Sequence, residues 1–330
     1  MNRFIRLLAC LLFVAGCGNS DESSPFSDIL NQSPYRPLTD SIREEPQRDD
    51  LYFRRAVALN KNNLPEPALA DFQKAWSLSK QESYAVGISN LLLEKNTTDA
   101  ISFLKEALKE YPASILLQLS LARAYDRQNK TDEALAACAA ILQQEPGQVN
   151  ALLLQADLYE KKGDTAGTIT ALEKAHAVAP LNREIGYKLA YQYAETKNTK
   201  VIALADSLIA KDSLKLYAEP YYVKGVYYSN VNNEAMAIRF FDEAVKHDYN
   251  NLNAYIEKGK ILLKQKKTAA AFRTFQLANT ISPAFADAWY WMGKCEELAG
   301  RKEEARLNYQ KAYELDKTFT EAKEAAEHIQ

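Results

Sequence analysis

The sequence has few of the residues on which metal binding and covalent cross-linking depend. Its 330 residues include three histidines and four cysteines, and its formal net charge is −2. A charge so close to zero argues against a general binder of nucleic acid, because such binding depends on an excess of cations. His176, His247 and His328 lie far apart in the sequence, at or near predicted helix ends, so we do not expect them to share a metal ion.

Sequence motifs typical of catalysis are also missing. The chain has no glycine loop that would cradle a phosphate and no nucleophile elbow. Cys138 occupies a predicted core position and Cys295 lies one turn before a predicted helix end, where partial exposure is possible. Because both are placed on packed helix faces far apart, we expect no disulfide between them. The sequence therefore predicts a protein that is not an enzyme and that holds no cofactor and no metal.

Long apolar runs are absent after the first residues of the chain. Leu7 to Gly16 is an apolar run of ten residues behind a short basic start. As a helix it would span roughly 15 Å, about half of a hydrocarbon core of about 30 Å, which is typical of a signal peptide. The stretch "VAGC", which ends at Cys17, resembles the lipobox of bacterial lipoproteins. The resemblance implies a signal peptide over residues 1–16 and a mature N-terminal Cys17 that carries several acyl chains, palmitate among them.

The residues after Cys17 bear on location and on the tether. Gly18 follows the cysteine, where an aspartate would resemble an inner-membrane retention signal, so we expect an outer-membrane lipoprotein of the bacterial cell envelope. The stretch "NSDESS" is similar to a surface-export signal and equally fits a plain solvated linker, which leaves the membrane face open. Residues 17–47 are rich in Ser, Asp, Asn, Gln and Pro and predict a lipid-anchored flexible linker. Alternatively, "SPYRPL" docks on the first folded repeat.

The rest of the chain is periodic. The period of 34 residues shows in evenly spaced prolines and alanines: Pro112, Pro146 and Pro180, and Ala244, Ala278 and Ala312. A fixed period in this range indicates stacked repeats. In the last unit, Ala305, Tyr309 and Ala312 recur at spacings of four and three and share one helical face. An Ala-Gly break at 299–300 separates them from an earlier helical face, so each unit is predicted to be a helical hairpin.

This pattern resembles the tetratricopeptide repeat over nearly the whole mature chain. The resemblance implies an all-α fold: a right-handed α-solenoid of about eight hairpins over residues 48–319, closed by a capping helix over 320–330. It also implies a concave face, lined by the first helix of each hairpin, that binds segments of other proteins. In the fifth unit the second-helix triad reads Ala203, Ser207 and Ala210, with serine where a large residue is usual. That unit is therefore a candidate hinge.

The repeat register predicts which first-helix residues line the groove. The fifth and ninth positions of the last four units form the candidate site: Tyr187, Tyr191, Tyr222, Val226, Ile256, Lys260, Tyr290 and Lys294. Tyrosine suits a protein-binding groove because its ring is rigid and apolar and its tip is polar. The lysines favour an acidic residue in the ligand. The alternative is that these tyrosines only pack the repeats.

These features predict a membrane-anchored adaptor or scaffold lipoprotein within an envelope assembly. It would bind a protein or peptide partner in its groove and would reach the membrane through lipidated Cys17, with no nucleic acid involved. The alternative function is a surface lipoprotein that captures glycans on its tyrosine rings. Proteins of that kind place large insertions between repeats, whereas the spacing here is nearly constant.

Overall fold

A computed structural model of the protein describes residues 25–212, 214 and 217–329. Every regular element within these residues is an α-helix, as the sequence predicts. The predicted signal peptide over 1–16 and the predicted lipid site Cys17 lie outside the described residues. None of the described helices combines the length and the apolar character that crossing a membrane requires. The chain divides between Ile141 and Leu142 into two compact units.

The N-terminal unit contains two short helices followed by hairpins. Its helices are α1 (Ser27–Leu30), α2 (Arg36–Glu44), α3 (Asp49–Lys61), α4 (Pro65–Leu78), α5 (Glu82–Lys95), α6 (Thr97–Glu110), α7 (Ile115–Arg127) and most of α8 (Thr131–Gln144). Each helix from α3 to α6 packs against the next helix in the chain, and α5 also contacts α7. The first helices α5 and α7 therefore lie side by side.

The C-terminal unit contains five hairpins and a last helix. Its helices are α9 (Val149–Lys161), α10 (Thr165–Val178), α11 (Arg183–Glu195), α12 (Lys200–Lys211), α13 (Glu219–Asn230), α14 (Glu234–His247), α15 (Leu252–Lys264), α16 (Thr268–Ile281), α17 (Ala286–Leu298), α18 (Lys302–Leu315) and α19 (Thr320–His328). The first helices α11, α13, α15 and α17 contact one another in sequence. This row of first helices carries the candidate groove.

Within a hairpin, a small residue on the first helix meets a large one on the second. A Cβ atom added to Gly225 would lie 2.5 Å from Cε1 of Phe241, and the pair Gly259 and Phe275 repeats this close approach one hairpin later. Phe241 and Phe275 are fully buried. The glycines therefore let each ring sit against the backbone of the neighbouring helix, at a separation that no other residue type permits.

Most hairpin turns contain one residue in the left-handed region. These residues are Asn63, Asn129, Gly163, Lys197, Asn232, Lys266 and Gly300, with φ between 56° and 76°. The turn between α5 and α6 is different, because it is reduced to Asn96. The Asn96 side chain accepts a hydrogen bond from the backbone N–H of Thr98 at 3.0 Å. The second hairpin is closed by this side-chain cap in place of a left-handed turn.

The prediction of a flexible linker over residues 17–47 was wrong for the part that the structure describes. Residues 25–47 contain α1 and α2, and Leu30, Tyr35 and Ile42 are buried in the core of the N-terminal unit. The segment is too polar to fold alone, but the few apolar side chains of α2 find apolar surface on the first hairpin. The alternative, docking of "SPYRPL" on the first repeat, describes this segment correctly.

The triad predicted for the fifth hairpin was also wrong, by two residues. In α12 the buried side chains are Val201, Ala205 and Leu208, whereas Ala203 and Ala210 are exposed. The spacing of four and three is kept, so α12 packs as the other second helices do. Ser207 is half-buried beside the core and is not the middle residue of the triad. The weak triad from which a hinge was predicted therefore does not exist, although the hinge itself stays a prediction.

A matched pair of leucine substitutions tests this register. Ala205→Leu should lower the free energy of unfolding by about 1–3 kcal/mol, because it adds three carbons at a fully buried position. Ala203→Leu, on the exposed face of the same helix, should change it by less than about 0.5 kcal/mol. Chemical denaturation of both variants measures the difference. Equal effects, or a larger effect at Ala203, would contradict the register.

Candidate partner-binding groove

A cavity of about 340 Å³ opens among the first helices of the C-terminal unit. We call it the tyrosine cavity, after the three rings in its wall. Its lining residues are Ala156, Asp157, Glu160, Thr168 and Leu172 of the α9–α10 hairpin, Tyr187, Lys188, Tyr191 and Gln192 of α11, Tyr222 of α13, and Asn253 of α15. Three of the eight predicted groove residues, Tyr187, Tyr191 and Tyr222, therefore line one cavity.

The floor and walls of the tyrosine cavity follow from the repeat packing. Ala156 and Thr168 are small, buried residues at the α9–α10 interface, and they leave room beneath the rings. The ring of Tyr222 lies 5.8 Å from that of the buried Phe241, at an angle of 48°. Because α13 packs on both α11 and α15, Tyr222 stands beside Tyr187 and Tyr191. The position of the cavity thus depends on the same hairpin contacts that stabilise the unit.

The tyrosines are neutral and partly buried. Burial raises the pKa of Tyr187 to about 12, and the carboxylate of Glu219 adds to the effect. Burial also raises the pKa of Tyr222 and Tyr191, with further contributions from glutamates that include Glu257 and Glu195. All three hydroxyls therefore stay protonated at physiological pH and can donate hydrogen bonds.

Polar side chains join consecutive first helices at the rim. Lys188 Nζ of α11 lies 3.3 Å from Asp157 Oδ1 of α9. Gln192 Nε2 donates to Glu160 Oε1 at 3.0 Å. Lys188, Gln192 and Glu160 were not among the predicted groove residues, which came only from the fifth and ninth positions of the repeat. The signal in the sequence is that complementary polar residues stand about one repeat apart, 31 residues for Lys188 and Asp157 and 32 for Gln192 and Glu160.

The other five predicted groove residues do not line the tyrosine cavity. Val226 and Ile256 are 7% and 6% exposed and belong to the apolar core. Their placement in the groove was wrong, because at these two positions the neighbouring first helices pack closely enough to cover an aliphatic side chain. Tyr290 packs its ring 4.9 Å from Phe319, which precedes α19.

The two predicted groove lysines have partners of their own. Lys260 Nζ lies 2.8 Å from Glu257 Oε1, and Lys294 Nζ lies 3.2 Å from Glu297 Oε2. Both bonds join residues three apart on one helix, where such pairs readily form. The lysines therefore do not provide the unpaired positive charge on which the expectation of an acidic ligand depended.

The cysteines and histidines do not form a reactive site within the described residues. Cys138 and Cys295 are fully buried, so the predicted partial exposure of Cys295 was wrong. Cys295 belongs to an apolar core cluster that includes Ile256, Phe275 and Met292. His247 stacks on Tyr221 with ring centroids 4.4 Å apart. No group of three or more potential metal ligands comes together in the part of the chain that the structure describes.

Burial should make both internal thiols unreactive. It raises the pKa of Cys138 to about 11 and that of Cys295 to about 12. At about pH 8 the thiolate of each would be at most about one part in a thousand, and access is blocked. In a Cys17→Ser chain, a thiol-specific reagent should modify neither residue under native conditions and both after denaturation, counted by mass spectrometry. Rapid native modification of either would contradict the packing.

Comparison with known proteins agrees with the geometry. Four sequence-family profiles described as tetratricopeptide repeat match residues 91–158, 286–319, 50–114 with 150–180, and 218–251. Together these matches span more than half of the chain. The chain belongs to the tetratricopeptide repeat family. Proteins of this family generally mediate protein–protein interactions, and the fold is typically non-catalytic.

Solved structures share the fold of this tetratricopeptide repeat protein. One is a tetratricopeptide repeat protein from Parabacteroides merdae, with 20% identity and a TM-score of 0.60 over 74% of this chain and 97% of that one. Another is PilW, a type IV pilus biogenesis factor, with 16% identity and a TM-score of 0.50 over 62% of this chain and 94% of that one. At these identities the likeness shows the fold alone.

One curated relative is much larger than the matched region. Human protein O-mannosyl-transferase TMTC1 is 26% identical over 163 residues, which are 48% of this chain and 18% of that protein. The chain therefore corresponds to less than a fifth of the relative's length. So small a share does not extend the relative's activity to this protein.

Proposed function

We propose that this protein is a membrane-tethered adaptor that binds a segment of a partner protein at the tyrosine cavity. Tetratricopeptide repeat proteins generally bind other proteins, which supports the general class of function. The observation that carries the specific proposal is the convergence of Tyr187, Tyr191 and Tyr222 on one cavity. Tyrosine is enriched at protein interfaces because it combines a large apolar ring with a hydrogen-bonding tip.

The state of the hydroxyl groups supports this use. Among the described residues, the hydroxyls of Tyr187 and Tyr222 form no hydrogen bond within the protein, and both side chains are only partly buried. Neither hydroxyl is a fully buried polar atom that lacks a partner, so each is accessible from outside. These two hydroxyls are therefore available to a bound segment.

The tether part of the proposal depends on Cys17. We propose that Cys17 is multiply acylated and holds the protein in the bacterial outer membrane. Because residues 25–47 are folded, only residues 18–24 would separate the lipid from the folded N-terminal unit. Even fully extended, these residues would span only about 25 Å. Such a tether would keep the partner close to the bilayer and raise its effective concentration there.

Photo-crosslinking in cells tests the binding site. A photoreactive amino acid replaces Tyr222, and the control carries it at Glu303, an exposed residue of α18. We expect one dominant protein to be captured from position 222 and not from position 303, with its identity read by mass spectrometry. Equal capture from both positions, or none from either, would mean that the tyrosines are ordinary repeat packing.

Fractionation tests the tether separately. The wild-type chain should fractionate with membranes and incorporate labelled palmitate. Cys17→Ser should lose the label and leave the membrane fraction, while its circular dichroism stays unchanged because the described fold does not include residue 17. Membrane retention of Cys17→Ser without label would refute the lipid anchor and leave the groove proposal standing.

The comparisons do not favour the glycan-capturing alternative. The matched profiles are tetratricopeptide repeats whose general role is protein interaction. The adaptor therefore remains the function that the cavity supports best.

A further inference from the structure

We infer that the tyrosine cavity is selective for a basic side chain, arginine or lysine, on the bound segment of a partner protein. This inference rests on the proposed function and names the chemistry of its ligand. It is the opposite of the acidic ligand that the lysines in the sequence suggested. Three observations carry it: the balance of charge around the cavity, the arrangement of the rings, and the volume.

The charge balance is negative. Glu160 lies in the cavity wall and Glu195 lies beside Tyr191, whose pKa it raises. Within the described residues, neither carboxylate forms an ion pair with a cation. Asp157 is neutralised by Lys188, and Glu257 by Lys260. Two carboxylates thus remain without a cationic partner at the exposed rim of the cavity, where Glu160 accepts a hydrogen bond from Gln192 and Glu195 accepts one from Tyr191.

The carboxylates around Tyr191 and Tyr222 act in the same direction. Burial is the main cause of the raised pKa of both phenols, and Glu195 and Glu257 raise the pKa of each further. An anionic group placed in the cavity would meet the same repulsion, whereas a cation would be stabilised there.

The aromatic rings add an attraction of the same sign. The face of a tyrosine ring attracts a cation within about 6 Å of its centroid. This protein uses such contacts elsewhere: the guanidinium of Arg183 lies 3.7 Å from the ring centroid of Tyr217, and Lys224 Nζ lies 4.5 Å from that of Phe240. Among the described residues, no cation lies over the rings of Tyr187, Tyr191 or Tyr222 in this way. A side chain from the partner would supply it.

The volume suits one long side chain. About 340 Å³ is at the lower end of the range of roughly 300–1,000 Å³ for small-molecule sites, and it is too small for a whole helix. The aliphatic part of an arginine or lysine would pack on the rings while its charged end met Glu160 or Glu195 at the rim. Arginine fits better than lysine, because its planar guanidinium both stacks on rings and forms two hydrogen bonds to a carboxylate.

Peptide selection tests the inference without a known partner. The full chain with Cys17→Ser serves as bait for a random peptide library displayed on phage. Parallel baits carry Tyr222→Ala, or Glu160→Gln with Glu195→Gln. The matched control carries Glu303→Gln with Glu304→Gln, which removes the same charge from exposed positions of α18. Circular dichroism and thermal melting first establish that all four baits are folded, and fluorescence anisotropy then measures the affinity of selected peptides.

The outcomes separate the two proposals. We expect peptides that depend on Tyr222 to share an arginine or lysine, and we expect the Glu160/Glu195 variant to bind them roughly ten- to a hundredfold more weakly. The Glu303/Glu304 control should bind them as tightly as the wild type. Peptides that depend on Tyr222 but lack a basic residue, or keep their affinity for the Glu160/Glu195 variant, would overturn the basic preference and leave the groove intact. If the selection yields no peptide whose binding depends on Tyr222, both proposals are overturned.

Discussion

Replacing Asp71 with alanine is expected to lower the stability of the N-terminal unit by about 3–5 kcal/mol. Arg55 of α3 is 1% exposed and donates two hydrogen bonds to the Asp71 carboxylate, at 2.7 and 2.8 Å. Without Asp71 the buried guanidinium would lose the carboxylate that accepts two of its hydrogen bonds. The loss of one partner costs far more than the pair contributes, because the remaining charge cannot reach water.

The effect of Asp71→Ala should spread to the N-terminal helices. A third hydrogen bond of Arg55, at 2.9 Å, goes to the hydroxyl of Thr39 on α2. That hydroxyl in turn donates to the carbonyl of Leu30 at 2.7 Å. Asp71, Arg55 and Thr39 thus connect α4, α3 and α2 through one buried network. If Arg55 moves to find water, α2 loses its buried polar contact with the first hairpin.

Hydrogen exchange followed by mass spectrometry measures the stability of each helix separately. A local measurement is needed because a repeat array need not unfold in one step. In Asp71→Ala, amides of residues 36–44 should exchange much faster than in the wild type, and those of the C-terminal unit should be unchanged. The matched control is Asp50→Ala, which removes a half-exposed partner of Arg48 and Arg54 on α3. Its effect should be far smaller, because solvent screens that pair. Equal exchange in both variants would show that the buried network does not hold α2.

Replacing Phe241 with alanine is expected to lower the stability of the C-terminal unit by about 3–5 kcal/mol. The ring is fully buried, lies against Gly225 and supports Tyr222 at 5.8 Å. Its removal leaves a cavity inside the sixth hairpin that the rigid helix pair cannot close. Because Tyr222 loses the ring on which it packs, capture of a partner from the tyrosine cavity should weaken as well.

A double-mutant cycle with Gly225 distinguishes packing from a general loss of apolar residues. Gly225→Ala alone should destabilise by about 1–3 kcal/mol, because the added methyl group meets the Phe241 ring. In the double variant, that methyl group enters the space that the ring has left, so the combined cost should be smaller than the sum. Gly259→Ala is the control, since its methyl group meets Phe275 instead. Additive effects at Gly225 and Phe241, measured by chemical denaturation, would contradict this close approach.

The periodic spacing of small and large residues was sufficient to predict the helical hairpins. In the last hairpin Ala305, Tyr309 and Ala312 are buried as predicted, because a face that repeats at spacings of four and three must turn toward one neighbour. The triad of the fifth hairpin was predicted wrongly because "VIALADSLIAKD" contains two sets of residues at spacings of four and three: Ala203, Ser207 and Ala210, and Val201, Ala205 and Leu208. Only packing against α11 and α13 selects Ala205 over Ala203, since the selected side chain must fit between these helices.

The N-terminal helices and the cavity depended on contacts between distant residues. The composition of residues 25–47 predicts disorder. That prediction would hold for the isolated segment, because Leu30, Tyr35 and Ile42 have too little apolar surface to stabilise a fold by themselves. The first hairpin supplies the missing surface. Within the groove, the sequence identified Tyr187, Tyr191 and Tyr222 from their register, but it could not tell that Val226 and Ile256 are covered.

The sequence by itself determined the repeat, the hairpins and the face of the chain on which tyrosines gather, because these follow from periodicity along one helix. Only the tertiary structure decided which of those residues remain open to a ligand and what charge surrounds them. Exposure depends on how closely the neighbouring first helices approach. The sign of the field depends on which acidic side chains have a lysine partner. Asp157 and Glu257 are paired with Lys188 and Lys260, whereas Glu160 and Glu195 have no lysine partner among the described residues. Both are properties of pairs of residues rather than of single positions.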